Sequence, residues 1–288
     1  MQLKALAHRA TSILDRAQGD SFDSIAGMLV YRKRQPTEFE AMVYDPIACL
    51  ILQGAKQTVV HDQTFEVATG HCFVVSHDLP VQARITDASA DQPYLALIFK
   101  LDLSVLRSLY DEVGETPAEG AAAMELAPAD PATLAVVARY LELGDDPVAA
   151  RVLLPVVRKE LHFRLYMSPS GAMLRSLLRR DSYASKIGLA ISTLRRSYRQ
   201  PLAMTELARS VGMSSSSFHK HFKSVTLTTP LQYQKDLRLT EARRLLRGGE
   251  RGVAETAYEV GYESASQLSR EYARKFGRPP MRDVAHAG

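Results

Sequence analysis

MTELARSVGMSSSSFHKHF, Met204 to Phe222, recurs 49 residues later as VAETAYEVGYESASQLSREY, Val253 to Tyr272. Each copy opens on an apolar residue, carries an acid two residues on and an alanine four on, then reaches Val211-Gly212 or Val260-Gly261. Two short helices that cross steeply need a residue between them that can take the left-handed conformation, and glycine does so without a Cβ clash. The small polar residues that follow, Ser214 to Ser217 and Glu263 to Ser266, suit the start of a second helix because their side chains can cap its first amides. Both copies read as helix-turn-helix units. Leu207, Ala208, Val211, Phe218 and Phe222 are the expected core of the first. Thr256, Ala257, Val260, Leu268 and Tyr272 take those places in the second, with one residue inserted after the turn. A helix over Leu231–Arg247, apolar along Leu237, Ala242, Leu245 and Leu246, joins the two.

Charge follows the same division. From Tyr183 onward there are 18 Lys and Arg against 9 Asp and Glu, a balance of +9, whereas the whole chain of 288 residues carries +4. Residues 1–182 therefore carry −5. A basic segment attached to an acidic one suits a polyanion at one end only, since phosphate neutralisation supplies most non-specific DNA affinity. With Phe218 and Phe222 turned inward, Ser215, Ser216, His219 and Lys220 are left to face a major groove. In the second copy Leu268 and Tyr272 point inward and leave Ser266, Gln267, Ser269 and Arg270. Arg270 can bond a guanine through two atoms and Gln267 an adenine. Lys223, Arg274 and Lys275, near the helix ends, are expected at phosphates. Two such helices on one rigid body imply successive grooves about 34 Å apart.

The segment GYESASQLSREYARKFGRPPMR, Gly261 to Arg282, closely resembles the signature of the AraC/XylS transcription regulators. The resemblance covers about Ser182 to Asp283. It implies double-stranded promoter DNA as the partner, two helix-turn-helix subdomains joined by a long helix, base contacts at the eight positions just named, and RNA polymerase as a further partner if the protein activates.

Ahead of this region, Ile25 to Lys100 breaks into short apolar runs, MLVYR, CLILQG, QTVV, CFVVS, VQARIT and YLALIFKL, punctuated by Gly54, Asp62, Gly70, Pro80 and Pro93. That spacing suggests a small antiparallel barrel or sandwich. Helices are expected over MQLKALAHRATSILDRA, Met1 to Ala17, and over Leu103–Val113, Pro131–Leu143 and Asp146–Met167, with Gly114–Pro131 a loop. The N-terminal helix, interrupted by Lys4, His8, Arg9, Asp15 and Arg16, does not read as a signal peptide. No run of about 18 apolar residues is present to span a membrane, and only Cys49 and Cys72 occur, so a reducing bacterial cytoplasm beside the nucleoid is the expected compartment. YDPIACLILQGAKQTVV, GHCFVVSHDLPV and YLALIFKLD are similar to the cupin-type sensor domain of one AraC-like subgroup, over roughly Ser21 to Met167. This resemblance implies effector binding and dimerisation. The expected fold is α+β in two domains: a cupin-like β-barrel with flanking helices over 1–167, a linker over 168–182, and an all-α DNA-binding domain over 183–288.

Enzyme chemistry finds little to stand on. Metal cupins use a His-x-His pair with a later Glu and His, whereas His61, His71 and His77 are isolated here, and His219 and His221 diverge on a helix. There is no nucleophile elbow, glycine-rich phosphate loop or paired-carboxylate motif, so no catalytic residue, metal or cofactor is assigned. Candidate effector residues are Lys56, Arg84 and Cys49, with Arg32, Lys33 and Arg34 as further cations for an anionic effector such as a cyclic dinucleotide. Cys49 reads as an inert buried thiol or as a sensor of oxidants or aldehydes. The helix Asp146–Met167, with Val152, Leu153, Val156, Leu161 and Leu165, serves either a homodimer interface or packing within the domain. The leading function is an effector-responsive, sequence-specific transcription regulator, as activator or repressor. Alternatives are a thiol-responsive regulator using Cys49, a cupin enzyme with a DNA-binding appendage, and a sequence-indifferent architectural binder.

Overall fold

The computed structural model describes residues 2–25, 27–114, 122–179, 181–249 and 251–285. The chain divides into two compact units at Ser185, the second beginning at Lys186 and also taking in the short piece Ala41–Val43. The first unit is α+β, and from Lys186 on the chain is helical.

In the first unit, helix α1 (Gln2–Arg16) buries Leu6, Ala10, Ile13 and Leu14 along one stripe. A six-stranded sheet runs β1 (Ser21–Ile25), β2 (Met28–Lys33), β9 (Tyr94–Lys100), β4 (Ile47–Gln53), β7 (His71–Val75) and β10 (Met124–Pro128). A four-stranded sheet runs β3 (Glu40–Tyr44), β8 (Leu79–Asp87), β5 (Ala55–Val60) and β6 (Gln63–Ala68). Strand β4 shows how the layers are built. It is apolar without alternation, as a strand covered on both faces should be. Ala48, Leu50 and Leu52 join Leu6 and Leu14 in one core with residues of helices α3 (Pro131–Leu143) and α4 (Pro147–Met167). Cys49 and Ile51, on the opposite face, are equally buried. Helix α2 (Leu103–Val113) and helices α3 and α4 all start at an aspartate whose carboxylate accepts from amides of the first turn: Asp102, Asp130 and Asp146. In α3 and α4 the next residue is proline, already set for the first helical position.

Two stretches differ from expectation. Within Gly114–Pro131 the chain forms β10, paired antiparallel to β7 from Met124 opposite Val75 to Pro128 opposite His71. MELAP is a poor strand former by itself; the exposed edge of β7 supplies the pairing, and Pro128 sits at the strand end on the sheet edge, where a missing amide is tolerated. Residues 115–121 of the expected loop lie outside the described residues. The stretch 168–182, expected as a linker, is largely folded. A 3-10 turn at Pro169–Gly171 leads into α5 (Ala172–Leu178), whose Leu174 and Leu178 join the first unit's core. Pro169 and Gly171 mark a turn inside the unit and not a gap between units.

The helices that follow are α6 (Tyr183–Ser197), α7 (Met204–Ser210), α8 (Ser215–Thr226), α9 (Pro230–Arg247), α10 (Val253–Glu259), α11 (Ala265–Phe276) and α12 (Pro280–Ala285). Leu207, Ala208, Phe218 and Phe222 are buried, while Val211 is half-buried. Tyr233 of α9 stacks edge-on to Phe222 with centroids 5.5 Å apart. Further along, Leu239, Ala242 and Leu246 of α9 pack with Ala257, Val260, Leu268 and Tyr272. One helix thus contributes to both cores, which ties the repeated units into a single body. Among the described residues no helix is long and apolar enough to cross a membrane.

Candidate nucleic-acid interface

The pairs α7–α8 and α10–α11 are the two helix-turn-helix units. Ser214 caps α8 by accepting from the Ser217 amide at 3.3 Å, and Ser264 caps α11 by accepting from the Gln267 amide at 3.2 Å. Gly212 and Gly261 both have positive φ, 66° and 91°. Their surroundings differ. A Cβ at Gly212 would meet open space, whereas one at Gly261 would lie 2.1 Å from the Arg199 carbonyl oxygen.

On α8, Ser215, Ser216, His219 and Lys220 are exposed while Phe218 and Phe222 face the core. On α11, Ser266 and Arg270 are exposed and Gln267 and Ser269 half-buried. An open groove of 790 Å³ gathers Ser264, Gln267, Arg270 and Arg274 together with Glu263 and Glu271. Lys220, Lys223, Arg270 and Arg274 are exposed and take no carboxylate partner among the described residues. Lys275 behaves differently. Its ammonium is bound to the Asp236 carboxylate of α9 and its side chain is only 15% exposed, so it holds α11 to α9 and is not an unpaired cation like the other four. That partner stands 39 positions earlier, beyond the reach of any local pattern.

The residues that fix α11 were not legible in the sequence. Glu271 accepts from Lys235 at 2.8 Å and from the Tyr262 hydroxyl at 2.9 Å. Asp283 of α12, 2% exposed, accepts from Arg243 at 2.8 and 3.0 Å, from Arg247 at 3.3 Å and from the Tyr272 hydroxyl at 2.6 Å. Burial by itself would raise the Asp283 carboxyl, but these hydrogen bonds and the two guanidinium charges outweigh it and bring it down to about 2. The available signal was a lone aspartate in a basic tail just after Pro279-Pro280.

In the first unit, Lys56 and Cys49 face the space between the sheets. Lys56 Nζ donates to the Tyr44 hydroxyl at 2.6 Å and lies 5.0 Å from the Phe73 ring centroid, and Cys49 stands opposite Phe73 in register. Arg84 does not join them. Its neighbours Ala83 and Ile85 are buried, while Arg84, on the other face of β8, donates to Gln57 Oε1 at 2.9 Å and stacks 4.6 Å over Phe39. Arg32 is engaged with Asp15 and Asp20 at 2.7 and 2.8 Å. Burial pushes the Cys49 thiol up to about 11 and Cys72 to about 12, leaving both as weak nucleophiles at neutral pH. Cys72 pairs with Leu50, so the two thiols lie on opposite faces of the sheet and cannot bridge. His77 is buried and its pKa falls to about 4 through desolvation, which keeps it neutral. Among the described residues no group of three His, Cys, Asp or Glu could hold a metal ion.

Comparison with known proteins adds the following. The family model for the AraC-type transcriptional regulator N-terminus matches residues 24–173, and a helix-turn-helix domain model matches 207–284. The HTH-type transcriptional activator RhaS of Escherichia coli is 30% identical over 104 residues, 36% of this chain and 37% of RhaS. The HTH-type transcriptional regulator ExsA of Pseudomonas aeruginosa is 28% identical over 124 residues, 43% of this chain and 44% of ExsA. The aligned part thus spans less than half the length of these curated relatives. Vibrio cholerae ToxT shares the fold at 14% identity with a TM-score of 0.55, covering 89% of this chain and 97% of ToxT. ToxT bound to (E)-4-(8-methylnaphthalen-1-yl)but-3-enoic acid gives a TM-score of 0.54 at 15% identity, covering 91% and 98%.

Proposed function

The chain belongs to the AraC-type transcriptional regulators, and from that premise we propose that it reads a specific duplex through α8 and α11, senses a small molecule in its first unit and works as a homodimer. The observation that carries the DNA reading is the pair of capped helices whose outward faces keep Lys220, Lys223, Arg270 and Arg274 unpaired with any carboxylate among the described residues. In this reading α11 discriminates bases through Arg270 and Gln267, and the serine-rich α8 contributes through His219, Lys220 and bridging water. Selection from a random duplex pool should return two base clusters about one helical turn apart. A pool that stays flat would favour a sequence-indifferent binder and overturn the proposal. Arg270→Ala should weaken specific binding by about 1–3 kcal/mol and relax one base position. Footprints of undiminished strength and selectivity would remove Arg270 from the reading.

Helix α4 supports the dimer. Leu161 and Leu165 are buried in their own unit, whereas Val148, Val152 and Val156 are 66%, 66% and 65% exposed at i, i+4, i+8. The two expectations for this helix are divided between its two ends. Changing Val152 and Val156 together to glutamate should convert a dimer to monomer in sedimentation while the thermal midpoint of the monomer stays within a few degrees, because exposed positions contribute little to the fold. A dimer that survives both changes would place the interface elsewhere. For ligand sensing, the ToxT complex with a small organic acid is a solved case of this fold with a bound effector-sized molecule. To regulate, a ligand must bind one arrangement of the protein better than another, since equal affinity shifts nothing.

A further inference from the structure

The middle of α9 grips both helix-turn-helix units at once. Helix α6 ends at Ser197, and the carbonyls that follow lack the amides a longer helix would have brought them. Arg238 of α9 takes that place from 40 positions away. Its Nε donates to the Tyr198 carbonyl at 2.7 Å, and its Nη2 to the Gln200 and Arg199 carbonyls at 3.1 and 3.4 Å. A guanidinium suits this cluster because its donors are held in a fixed planar fork and its charge meets the negative end of a helix. Gln234, one turn earlier on α9, already donates to the Tyr198 and Gln200 carbonyls at 3.0 and 2.9 Å, so two of the three acceptors are satisfied without the arginine. What Arg238 adds is reach toward the second unit. Its Cζ lies 5.8 Å from the ring centroid of Tyr262, the residue after the turn glycine, and the Tyr262 hydroxyl donates to Glu271 of α11 at 2.9 Å. The Arg199 carbonyl it holds is the same group that a Cβ on Gly261 would strike. Residues 198–200 lie just ahead of α7, so one guanidinium stands between the approach to the first unit and the turn of the second. The Arg199 side chain adds only long, half-exposed ion pairs with Glu241 and Glu259 at 3.9 and 3.7 Å, which contribute little in solvent.

We propose that Arg238 is a positioning residue for DNA reading: it fixes the rotation of the second helix-turn-helix about α9 relative to the first, and thereby the spacing between base clusters that the protein accepts. The proposal rests on the duplex reading above. Two bodies packed along one helix share an axis, and a contact away from that axis is needed to stop one from turning against the other. Helix α9 supplies the axis, through Tyr233 in the first core and Leu239, Ala242 and Leu246 in the second. The ion pairs Lys235–Glu271 and Lys275–Asp236 join α11 to α9 and bring in nothing from the first unit. Arg238 supplies the contact that does. Rotation matters because the duplex fixes the phase: each base pair advances about 3.4 Å and turns by about 34°, so a reader displaced by that much meets the next pair.

The test uses the full chain and the duplex returned by selection from a random pool, beside duplexes with one base pair inserted or deleted between the two clusters. The unaltered protein should bind each shifted duplex about tenfold or more weakly, because one reader falls out of register. Arg238→Met keeps the apolar stem and removes the donors. Its preference for the selected spacing should fall to about threefold or less, while the preferred bases within each cluster stay the same. Arg238→Lys, which retains a cationic donor, should keep an intermediate preference. A loss of fold stability alone would weaken binding to every duplex alike and leave the ratio untouched. Gln234→Met frees the segment that Arg238 holds and should lower the ratio in the same direction, so poor folding of Arg238→Met would not shield the proposal. A ratio unchanged in Arg238→Met, or in Gln234→Met where the first variant does not fold, overturns it while the duplex reading stands. An unaltered protein that binds the shifted duplexes equally well does the same. Selection that returns no clusters would remove the duplex reading and this proposal with it.

Discussion

Asp283→Ala is expected to destabilise the helical unit by about 3–5 kcal/mol, because it strands buried cationic partners in place of a satisfied network. Asp283 accepts from Arg243, Arg247 and Tyr272, three residues on two helices. Removing it leaves the Arg243 guanidinium, whose side chain is 10% exposed, without its carboxylate and beside the positive charge of the partly exposed Arg247. Asp283→Asn should be milder, since the amide oxygen still accepts while the charge is lost. The same carboxylate predicts a pH dependence. Its folded value, about 2, lies below the ordinary aspartate value of about 3.9. The stabilisation is therefore fully present above about pH 4 and lost as pH falls through about 2, on the order of 2 kcal/mol in all. Urea denaturation of both variants, and of the unaltered protein between pH 2 and 5, measures this. An Asp283→Ala cost under about 1 kcal/mol would mean that the network contributes little.

The second large effect concerns two glycines that look alike in sequence. Gly212→Ala places a Cβ in open space and should cost only the positive-φ penalty, about 1–2 kcal/mol. Gly261→Ala adds a contact of 2.1 Å with the Arg199 carbonyl oxygen, so backbone must move. The same carbonyl accepts from Arg238, and Arg238 Nε bonds the neighbouring Tyr198 carbonyl at 2.7 Å. The shift therefore spreads into the segment that α9 holds. A cost of roughly 3 kcal/mol or more is expected, with DNA affinity lost through the second unit while the first remains folded. Thermal midpoints of the two variants, with hydrogen exchange at α10 and α11, separate the cases. Equal losses at the two glycines would remove the close approach as the cause.

The repeated units were readable because a helix-turn-helix is a local object: periodicity, caps and a turn glycine all lie within about twenty residues. The strands β2, β4, β5, β7, β8 and β9 were readable for the same reason, being apolar runs bounded by turn residues. What could not be read was whatever depended on a distant partner. MELAP became β10 only because β7 offered an edge, and residues 172–178 became a core helix because the first unit had an apolar surface to cover. The site followed the same rule. Helix facing separated the exposed Arg270 from the buried Leu268, but it could not show that Lys275 is paired, because Asp236 lies on another helix. Arg84 and Lys56 looked equivalent as cations on neighbouring strands, and only the register of β5 against β8 put them on opposite faces.

By itself the sequence determined that this chain carries two helix-turn-helix units on one connecting helix, a basic end beside an acidic one, and a β-rich front half. Each of these is set by spacing and composition, which act along the chain. The tertiary structure alone decided which cations remain unpaired, which turn glycine lies against another backbone, and which faces of the sheet the two thiols occupy. Charge availability and steric room are properties of neighbours in space, and electrostatic pairing at a few ångströms does not depend on how many residues separate the partners.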